Sequence, residues 1–127
     1  MADGFCLDAG ALIAFERGDK EVRSLLRRAL AHGAAVDIPC TVVAQVWRGG
    51  GPRQARLALL LGADGVEQPQ LEAVTAQGVG ELCGRAKTSD VVDAHVALHA
   101  LSRKLAVVTS DPDDIGALAP QVPLVRV

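Results

Sequence analysis

Short apolar segments alternate with longer amphipathic segments along the chain. The apolar segments predict five buried strands, within GFCLDA, AAVDIP, DGVEQ, LAVVTS and VPLVRV. The first long amphipathic segment, KEVRSLLRRALAHG, has apolar residues at helical spacing from Val22 to Leu30, and Gly33 follows as the expected C-terminal cap. GALIAFERGD before it is also predicted to be helical.

Glycine and proline mark where the remaining helices begin and end. CTVVAQVWR predicts a helix stopped by the glycines at 49–51, and Pro52 begins the next helix. QLEAVTAQGVGELCGRA, SDVVDAHVALHALSRK and DPDDIGALA predict three more helices. Because strands and helices alternate, the pattern predicts an α/β fold with a parallel sheet covered by helices on both faces. We find no repeat or linker, so one domain is expected over residues 1–127.

Composition narrows the nature of the core and of the surface. Half of the residues are hydrophobic but only 2% are aromatic, so the core must consist of Ala, Leu and Val. The net charge of −2 does not indicate a polyanion partner. Eight of the 13 Lys and Arg nevertheless lie between Arg17 and Arg56, and five of the 15 acids lie between Asp90 and Asp114. A basic surface beside an acidic site is one interpretation, and ordinary solvated helix faces are the other.

Cysteine usage and the N-terminal stretch indicate a compartment. Cys6, Cys40 and Cys83 are widely spaced and form no CxxC motif, which favours free thiols in a reducing cytosol. MADGFCLDAG lacks a basic region and a long apolar run, and no segment approaches the roughly 18 apolar residues of a membrane helix. A cytoplasmic protein with no membrane association is therefore expected.

Each acid at a predicted strand end or helix start has an ordinary structural explanation. Asp8 follows the first strand and would cap the next helix. Asp111 precedes Pro112, which favours the same role. Asp90 would cap its helix with Asp93 reaching back to complete a capping box.

Taken together, the same acids predict a metal site. In open parallel sheets, ligands bind beyond the carboxyl ends of the strands where strand order reverses, and Asp8 and Asp111 stand at such ends. Asp90 and Asp93 share a face of the helix that leads into the strand before Asp111. Converging carboxylates repel one another, and Mg²⁺ or Mn²⁺ would relieve that repulsion. Such an ion activates water and stabilises charge in phosphoryl displacement.

Other acids and histidines in this region are assigned structural roles. His95 lies about 200° around its helix from Asp93, so His95 and His99 are expected to be structural or surface residues. Asp113 and Asp114 follow Pro112 and would complement the helix dipole, with a minor supporting role at the site as the alternative.

Four segments resemble, in order and spacing, the motifs of PIN-domain proteins. They are LDAGALIAFERGD, VVAQVWRGG, TSDVVDAHVALHA and VVTSDPDD. The similarity is greatest to VapC-type ribonuclease toxins of bacterial toxin–antitoxin pairs, and it spans nearly the whole chain.

The resemblance implies a fold, an activity and partners. The fold would be a three-layer α/β/α sandwich with a five-stranded parallel sheet. The activity would be RNA cleavage that depends on Mg²⁺ or Mn²⁺, with Asp8, Asp93 and Asp111 as catalytic metal ligands and Asp90 beside them. Thr109 and Ser110 would shape the loop that carries Asp111. The resemblance also implies a homodimer and a VapB-type antitoxin that inserts a peptide into the acidic site.

Gln45 departs from the family pattern. It stands where the second motif usually has a glutamate. An amide oxygen can ligate a metal or hold a ligated water, but it carries no charge and is not a base at neutral pH. We therefore expect weaker metal binding than in an all-carboxylate site.

Three classes of function are compatible with these patterns. The first is a metal-dependent endoribonuclease, with Arg17, Arg48 and Arg53 as phosphate contacts and Arg23, Arg27 and Arg56 as further candidates. The second is a PIN-like module that binds RNA or protein without cutting, which Gln45 keeps open. The third is an aspartyl-phosphate phosphatase or phospho-receiver. It ranks low because Gly10 stands where a phosphatase needs a second Asp, and VVTSDPDD supplies no lysine for a receiver.

Overall fold

A computed structural model describes residues 4–127, and the first three residues of the predicted 1–127 domain lie outside the described residues. The strands are β1 (Gly4–Leu7), β2 (Ala35–Asp37), β3 (Val66–Glu67), β4 (Ala106–Thr109) and β5 (Leu124–Arg126). The α-helices are α1 (Ala9–Glu16), α2 (Lys20–Ala31), α3 (Cys40–Val46), α4 (Ala55–Leu61), α5 (Ala73–Ala86), α6 (Val91–Arg103) and α7 (Pro112–Leu118). A 3₁₀ turn over Pro52–Gln54 leads into α4. The predicted order of strands and helices is confirmed.

The five strands form one parallel sheet in the order β3-β2-β1-β4-β5. Cys6 of β1 is the partner of Asp37 in β2 and of Val107 in β4. Strand order runs one way from β1 to β3 and the other way from β1 to β5. The order therefore reverses between β1 and β4, which is where an open α/β sheet leaves a crevice.

Helices cover the sheet on both faces. The Cys6 thiol lies 4.0 Å from the Val96 carbonyl of α6, so Cys6 faces the layer in which α5, α6 and α7 pack together. Alternate strand residues point the other way, toward the layer formed by α1, α2 and α4. The predicted three-layer α/β/α architecture is thus confirmed.

The core is aliphatic, as the composition requires. Leu7, Leu12, Ile38 and Val107 are fully buried, and Trp47 packs against this core from the edge. Each buried side chain of this size contributes about 1.5–3 kcal/mol relative to exposure. All three cysteines are free thiols. Within residues 4–127, no helix is long and apolar enough to cross a membrane.

Both α6 histidines have structural roles at buried polar contacts. His99 Nε2 lies 2.7 Å from Asp37 Oδ2, and Asp37 at the end of β2 is buried. His95 is also buried and pairs through Nδ1 with the Thr41 hydroxyl of α3, at 2.7 Å. Burial, and to a lesser extent the charge of His99, lowers the pKa of His95. These contacts join α6 to the sheet and to α3.

Loss of the Asp37–His99 contact should destabilise the fold. His99→Ala leaves the buried Asp37 carboxylate without this partner, which we expect to cost about 2 kcal/mol. The matched control is His32→Ala, because His32 is exposed and bonds only to the Arg28 carbonyl of its own helix. Urea unfolding midpoints measure both. Equal effects of the two substitutions would contradict a special contribution from His99.

Candidate active site

Asp8 lies at the crevice between β1 and β4. It directly follows β1, and its backbone N–H donates to the Val108 carbonyl of β4 at 3.2 Å. Its carboxylate accepts from the Ala11 N–H at 2.9 Å, which confirms the predicted cap on α1. The residue is only 4% exposed. Its carboxylate is therefore held in one orientation at the carboxyl edge of the sheet.

Thr109 connects Asp8 with Asp111. Its hydroxyl oxygen accepts from the Asp111 N–H at 2.8 Å, and its side chain hydrogen-bonds to Asp8. Thr109 is fully buried, whereas Asp111 is exposed. Asp111 occupies the cap position of α7, but its carboxylate makes no capping hydrogen bond. The capping role predicted for Asp111 is therefore wrong, and its exposed carboxylate serves no helix end.

Asp90 and Asp93 stand at the start of α6. Asp90 accepts from the Asp93 N–H at 3.0 Å and so caps the helix as predicted. The Asp90 N–H instead donates to the Thr88 hydroxyl at 3.1 Å. The predicted reach of Asp93 back to Asp90 is replaced by Thr88. The half-buried Asp93 carboxylate is left facing the other acids, as its pKa indicates.

The pKa values show that these carboxylates sense one another. The pKa of Asp93 is raised to about 7. Burial is the largest cause, and the neighbouring acids Asp90, Asp8 and Asp114 add to it. Burial also raises the pKa of Asp8, assisted by the charge of Asp111 and opposed by hydrogen bonds from Thr109 and Ala11. We call these acids, which come from the end of β1, from α6 and from the start of α7, the acidic cluster. That Asp8, Asp90, Asp93 and Asp111 together hold a metal stays a prediction.

Asp114 also belongs to this cluster, although its position in the sequence predicted only a minor supporting role for it. A hydrogen bond to Asp111 and the negative charge of Asp111 raise the pKa of Asp114. Asp114 also lines a pocket of about 140 Å³ together with Asp90 and Asp93. The signal was present in the spacing, because Asp111 and Asp114 are three residues apart at a helix start, as Asp90 and Asp93 are.

The donor chemistry of the cluster fits a hard divalent cation, because it consists of carboxylate oxygens that repel one another. Within residues 4–127, however, no three Asp, Glu, His or Cys side chains stand close enough to form a ready metal site. Ligation of one ion by three of the carboxylates therefore requires side-chain rotation. The exposed Asp90 and Asp111 have room for it.

Gln45 is exposed on α3, with Val42 and Val46 of the same helix buried behind it. Helix α3 packs against α1 and α6, which begin next to Asp8 and Asp90. A role for the Gln45 amide beside the acids stays a prediction.

Gln54, which the sequence interpretation did not single out, holds the end of α3 in place. Its side-chain oxygen accepts from the N–H groups of Arg48 and Gly50, at 2.9 and 3.1 Å. Its amide nitrogen donates to the Val46 carbonyl and to Glu16. No apolar periodicity marks Gln54 as a buried residue, because its role depends on contacts that only the fold creates.

The arginines proposed for RNA differ in their surroundings. Arg17 and Arg53 are exposed. Arg48 is exposed too, but its guanidinium donates to the Ala44 and Trp47 carbonyls at the end of α3. Arg56 donates to the Glu16 carbonyl at the end of α1. Two of the candidates therefore have helix-capping roles in addition to any phosphate contact.

The raised pKa of Asp93 predicts how the metal-free protein responds to pH. An unfolded aspartate titrates near pH ~3.9, whereas Asp93 in the folded chain titrates at about 7. The folded state therefore holds this proton more tightly, so the contribution favours folding at pH 5 and is lost as pH rises through 7. In EDTA, the melting temperature of wild type should fall relative to that of Asp93→Asn between pH 5 and pH 8.

The comparison with Asp93→Asn isolates this group, because His95 has a lowered pKa and contributes the opposite trend in both proteins. If the melting temperatures of the two proteins change with pH by the same amount across this range, a raised pKa of Asp93 is refuted.

Gly10 allows the Ser110 loop to approach the start of α1. A Cβ at position 10 would overlap the Ser110 hydroxyl and lie 3.5 Å from the Asp8 carboxylate. The hydroxyl can rotate away, but the Ser110 Cβ at 3.3 Å must also give way by a few tenths of an ångström. Gly10→Ala should therefore lose most of the roughly 0.5–1 kcal/mol that alanine gains over glycine inside a helix. Gly84→Ala is the control, because a Cβ there meets nothing within 4 Å on helix α5 and should stabilise by up to about 1 kcal/mol. Equal unfolding midpoints for the two variants would argue against the close approach.

No protein-family model matches the sequence, and no curated protein matches it. Solved structures do match. VapBC2 from Rickettsia felis, solved bound to a DNA fragment from its promoter, has 17% identity and a TM-score of 0.73, over 97% of this chain and 98% of that chain. FitAcB from Neisseria gonorrhoeae has 16% identity and a TM-score of 0.64, over 94% and 95%. PAE2754 from Pyrobaculum aerophilum has 20% identity and a TM-score of 0.64, over 98% and 85%. At these identities the similarity concerns the fold, and the chain has the PIN-like fold that its motifs predicted.

Proposed function

We propose that this protein is a metal-dependent endoribonuclease and the toxin of a toxin–antitoxin pair. The observation that carries the proposal is that Asp8 and Asp111 follow β1 and β4 at the strand-order reversal, with Asp93 near enough to Asp8 for their charges to interact. Similarity of fold to VapBC2 and FitAcB supports it. Clustered carboxylates at such a crevice suit hydrolysis of a phosphodiester better than acyl or glycosyl transfer, since a metal-bound phosphate is what they accommodate.

Asp8, Asp90, Asp93 and Asp111 would hold Mg²⁺ or Mn²⁺. The bound ion would lower the pKa of a water and neutralise charge on the phosphate. Thr109 keeps Asp8 and Asp111 in fixed relation through its two hydrogen bonds. Burial and the Ala11 N–H hold Asp8 in one rotamer. These contacts order the Asp8 carboxylate and the backbone at Asp111 before substrate arrives, so less ordering remains for the reaction.

Other residues at this edge would position substrate and water. Gln45 and Ser110 present an amide and a hydroxyl, groups that hold water without changing the charge of the site. Without a metal ion the pKa of Asp93 is about 7, and a bound dication would favour its charged form and release the proton. Arg17, Arg48 and Arg53 would contact RNA phosphates from the basic part of the surface.

The proposal includes partners. A VapB-type antitoxin would insert a basic peptide into the acidic cluster, where one arginine would relieve the same repulsion as a metal ion. A homodimer is the second part of the proposal. Val74 of α5 and Val91 of α6 are 80% and 51% exposed, and these two helices pack together, so their apolar side chains supply surface for a second copy.

A catalytically silent PIN-like module that binds RNA or protein is the second candidate. Two observations favour it: Gln45 is uncharged, and the described residues contain no ready three-ligand metal site. With Gln45 in place of a glutamate, the site has one carboxylate fewer than the family pattern and would bind a divalent cation less strongly.

Cleavage of total RNA with Mg²⁺ or Mn²⁺ distinguishes the two candidates. Wild type should cut, and Asp93→Asn should be slower by on the order of 100-fold, since even residues that only orient metal ligands cost 10–100-fold when changed. Asp64→Asn is the matched control, because Asp64 is exposed in the turn before β3. Gln45→Glu should increase cleavage at low metal concentration. If wild type and Asp93→Asn are equally inert while Gln45→Glu cuts, the natural protein is a binding module.

A further inference from the structure

Helix α2 and the far side of the sheet enclose a groove that the proposed nuclease site does not use. One hollow of about 420 Å³ lies between α2 and β5, and a second of about 530 Å³ continues beneath α2 toward β1. Both are lined by Leu25 and Arg28, so they form one continuous surface. We call it the α2–β5 groove.

Within residues 4–127, the floor of this groove is sheet surface that no helix fully covers. Val125 pairs with Val108, and Val108 pairs with Leu7. These residues and Phe5 therefore point to the same face of the sheet, opposite to the face that carries Cys6 and α6. Helix α7 is the one that packs most on β5, and it lies in the α6 layer. Phe5, Leu25 and Val125 are consequently only half-buried. A sheet face of this kind is normally buried by another element.

The rim of the groove is positively charged. Among the described side chains that line it, Lys20, Arg28 and Arg126 carry positive charge and Glu21 carries negative charge, and His32 lies at its far end. The chain as a whole carries a net charge of −2, so this excess of positive charge is local. Arg23 and Arg27 belong to the other flank of α2, where they line a separate hollow with Phe15 and Leu59.

We propose that the α2–β5 groove docks an amphipathic helix of a partner protein, with an apolar stripe flanked by Asp and Glu. The apolar floor favours a protein over RNA, because the RNA backbone offers phosphates but no aliphatic face. The cationic rim selects an acidic helix and rejects a basic one through charge complementarity. The helix completes the layer that α1 and α2 leave open over β5. This proposal does not depend on nuclease activity.

A pair of designed peptides tests the proposal with the full chain. Each has roughly 16 residues, long enough to be made helical, with leucines along one face and flanks of either glutamate or lysine. Methyl NMR of the protein's Leu and Val side chains follows binding. We expect the glutamate peptide to shift the signals of Leu25 and Val125, and the lysine peptide to leave them unchanged.

Charge reversal provides the matched variants. The double substitution Arg28→Glu and Arg126→Glu should weaken the glutamate peptide by about tenfold or more and create affinity for the lysine peptide. Arg23→Glu with Arg27→Glu changes charge by the same amount on the opposite flank of α2 and should leave binding within about twofold. Melting temperatures verify that both variants fold.

Four outcomes would overturn the proposal. They are no binding of the glutamate peptide, shifts centred on Leu59 and Leu60 instead, equal loss of affinity in the two variants, and shifts of Leu25 and Val125 by a single-stranded uridine oligonucleotide. Equal loss of affinity in the two variants would indicate non-specific attraction of the peptide to the basic side chains of α2. Shifts caused by the oligonucleotide would indicate that the groove binds RNA.

Discussion

Mutual repulsion among carboxylates is the constraint around which one edge of this molecule is organised. Parallel pairing of β1 with β4 brings Asp8 and Asp111 to the same edge of the sheet, although about a hundred residues separate them in sequence. Helix α6 adds Asp90 and Asp93. The chain offsets part of this repulsion with donors it already has, the Thr109 hydroxyl and the N–H groups at the starts of α1 and α6. Burial first and the remaining repulsion second raise the pKa values of Asp8 and Asp93, and a dication or an arginine would relieve that repulsion.

Buried polar contacts hold the helices that carry these acids. His99 and His95 join α6 to β2 and to α3, and Gln54 joins the end of α3 to the end of α1. An aliphatic core is non-directional and allows helices to slide, whereas a hydrogen bond in the interior specifies one arrangement. The position of Asp93 relative to Asp8 therefore depends on contacts several residues away from either carboxylate.

The surface divides into regions of opposite charge with different chemistry. The acidic edge at the ends of β1 and β4 suits a cation that bridges to phosphate. The basic residues are concentrated in a different stretch of the sequence, from Arg17 to Arg56. Along α2 the basic side chains flank apolar hollows on both sides, which distinguishes them from a simple phosphate path. The proposed partner helix on the α2–β5 groove and catalysis would consequently use separate surfaces, whereas the proposed antitoxin peptide would share the acidic edge.

The sequence by itself determined the elements, their order and the residues at their ends. Local propensity, apolar periodicity and Gly or Pro at boundaries act within a few residues, so they are visible in the chain. Carboxylates after β1 and β4 could be named because parallel strands end at one edge. Only the tertiary structure decided which acids cap helices and which face one another: Thr88 replaced Asp93 in the cap of α6, Asp111 was left without a capping bond, and Asp114 entered the cluster. It also placed His99 on Asp37 and Gln54 beneath α3. Those outcomes depend on competition between partners distant in sequence, and the energy of that competition exists only once the chain has folded.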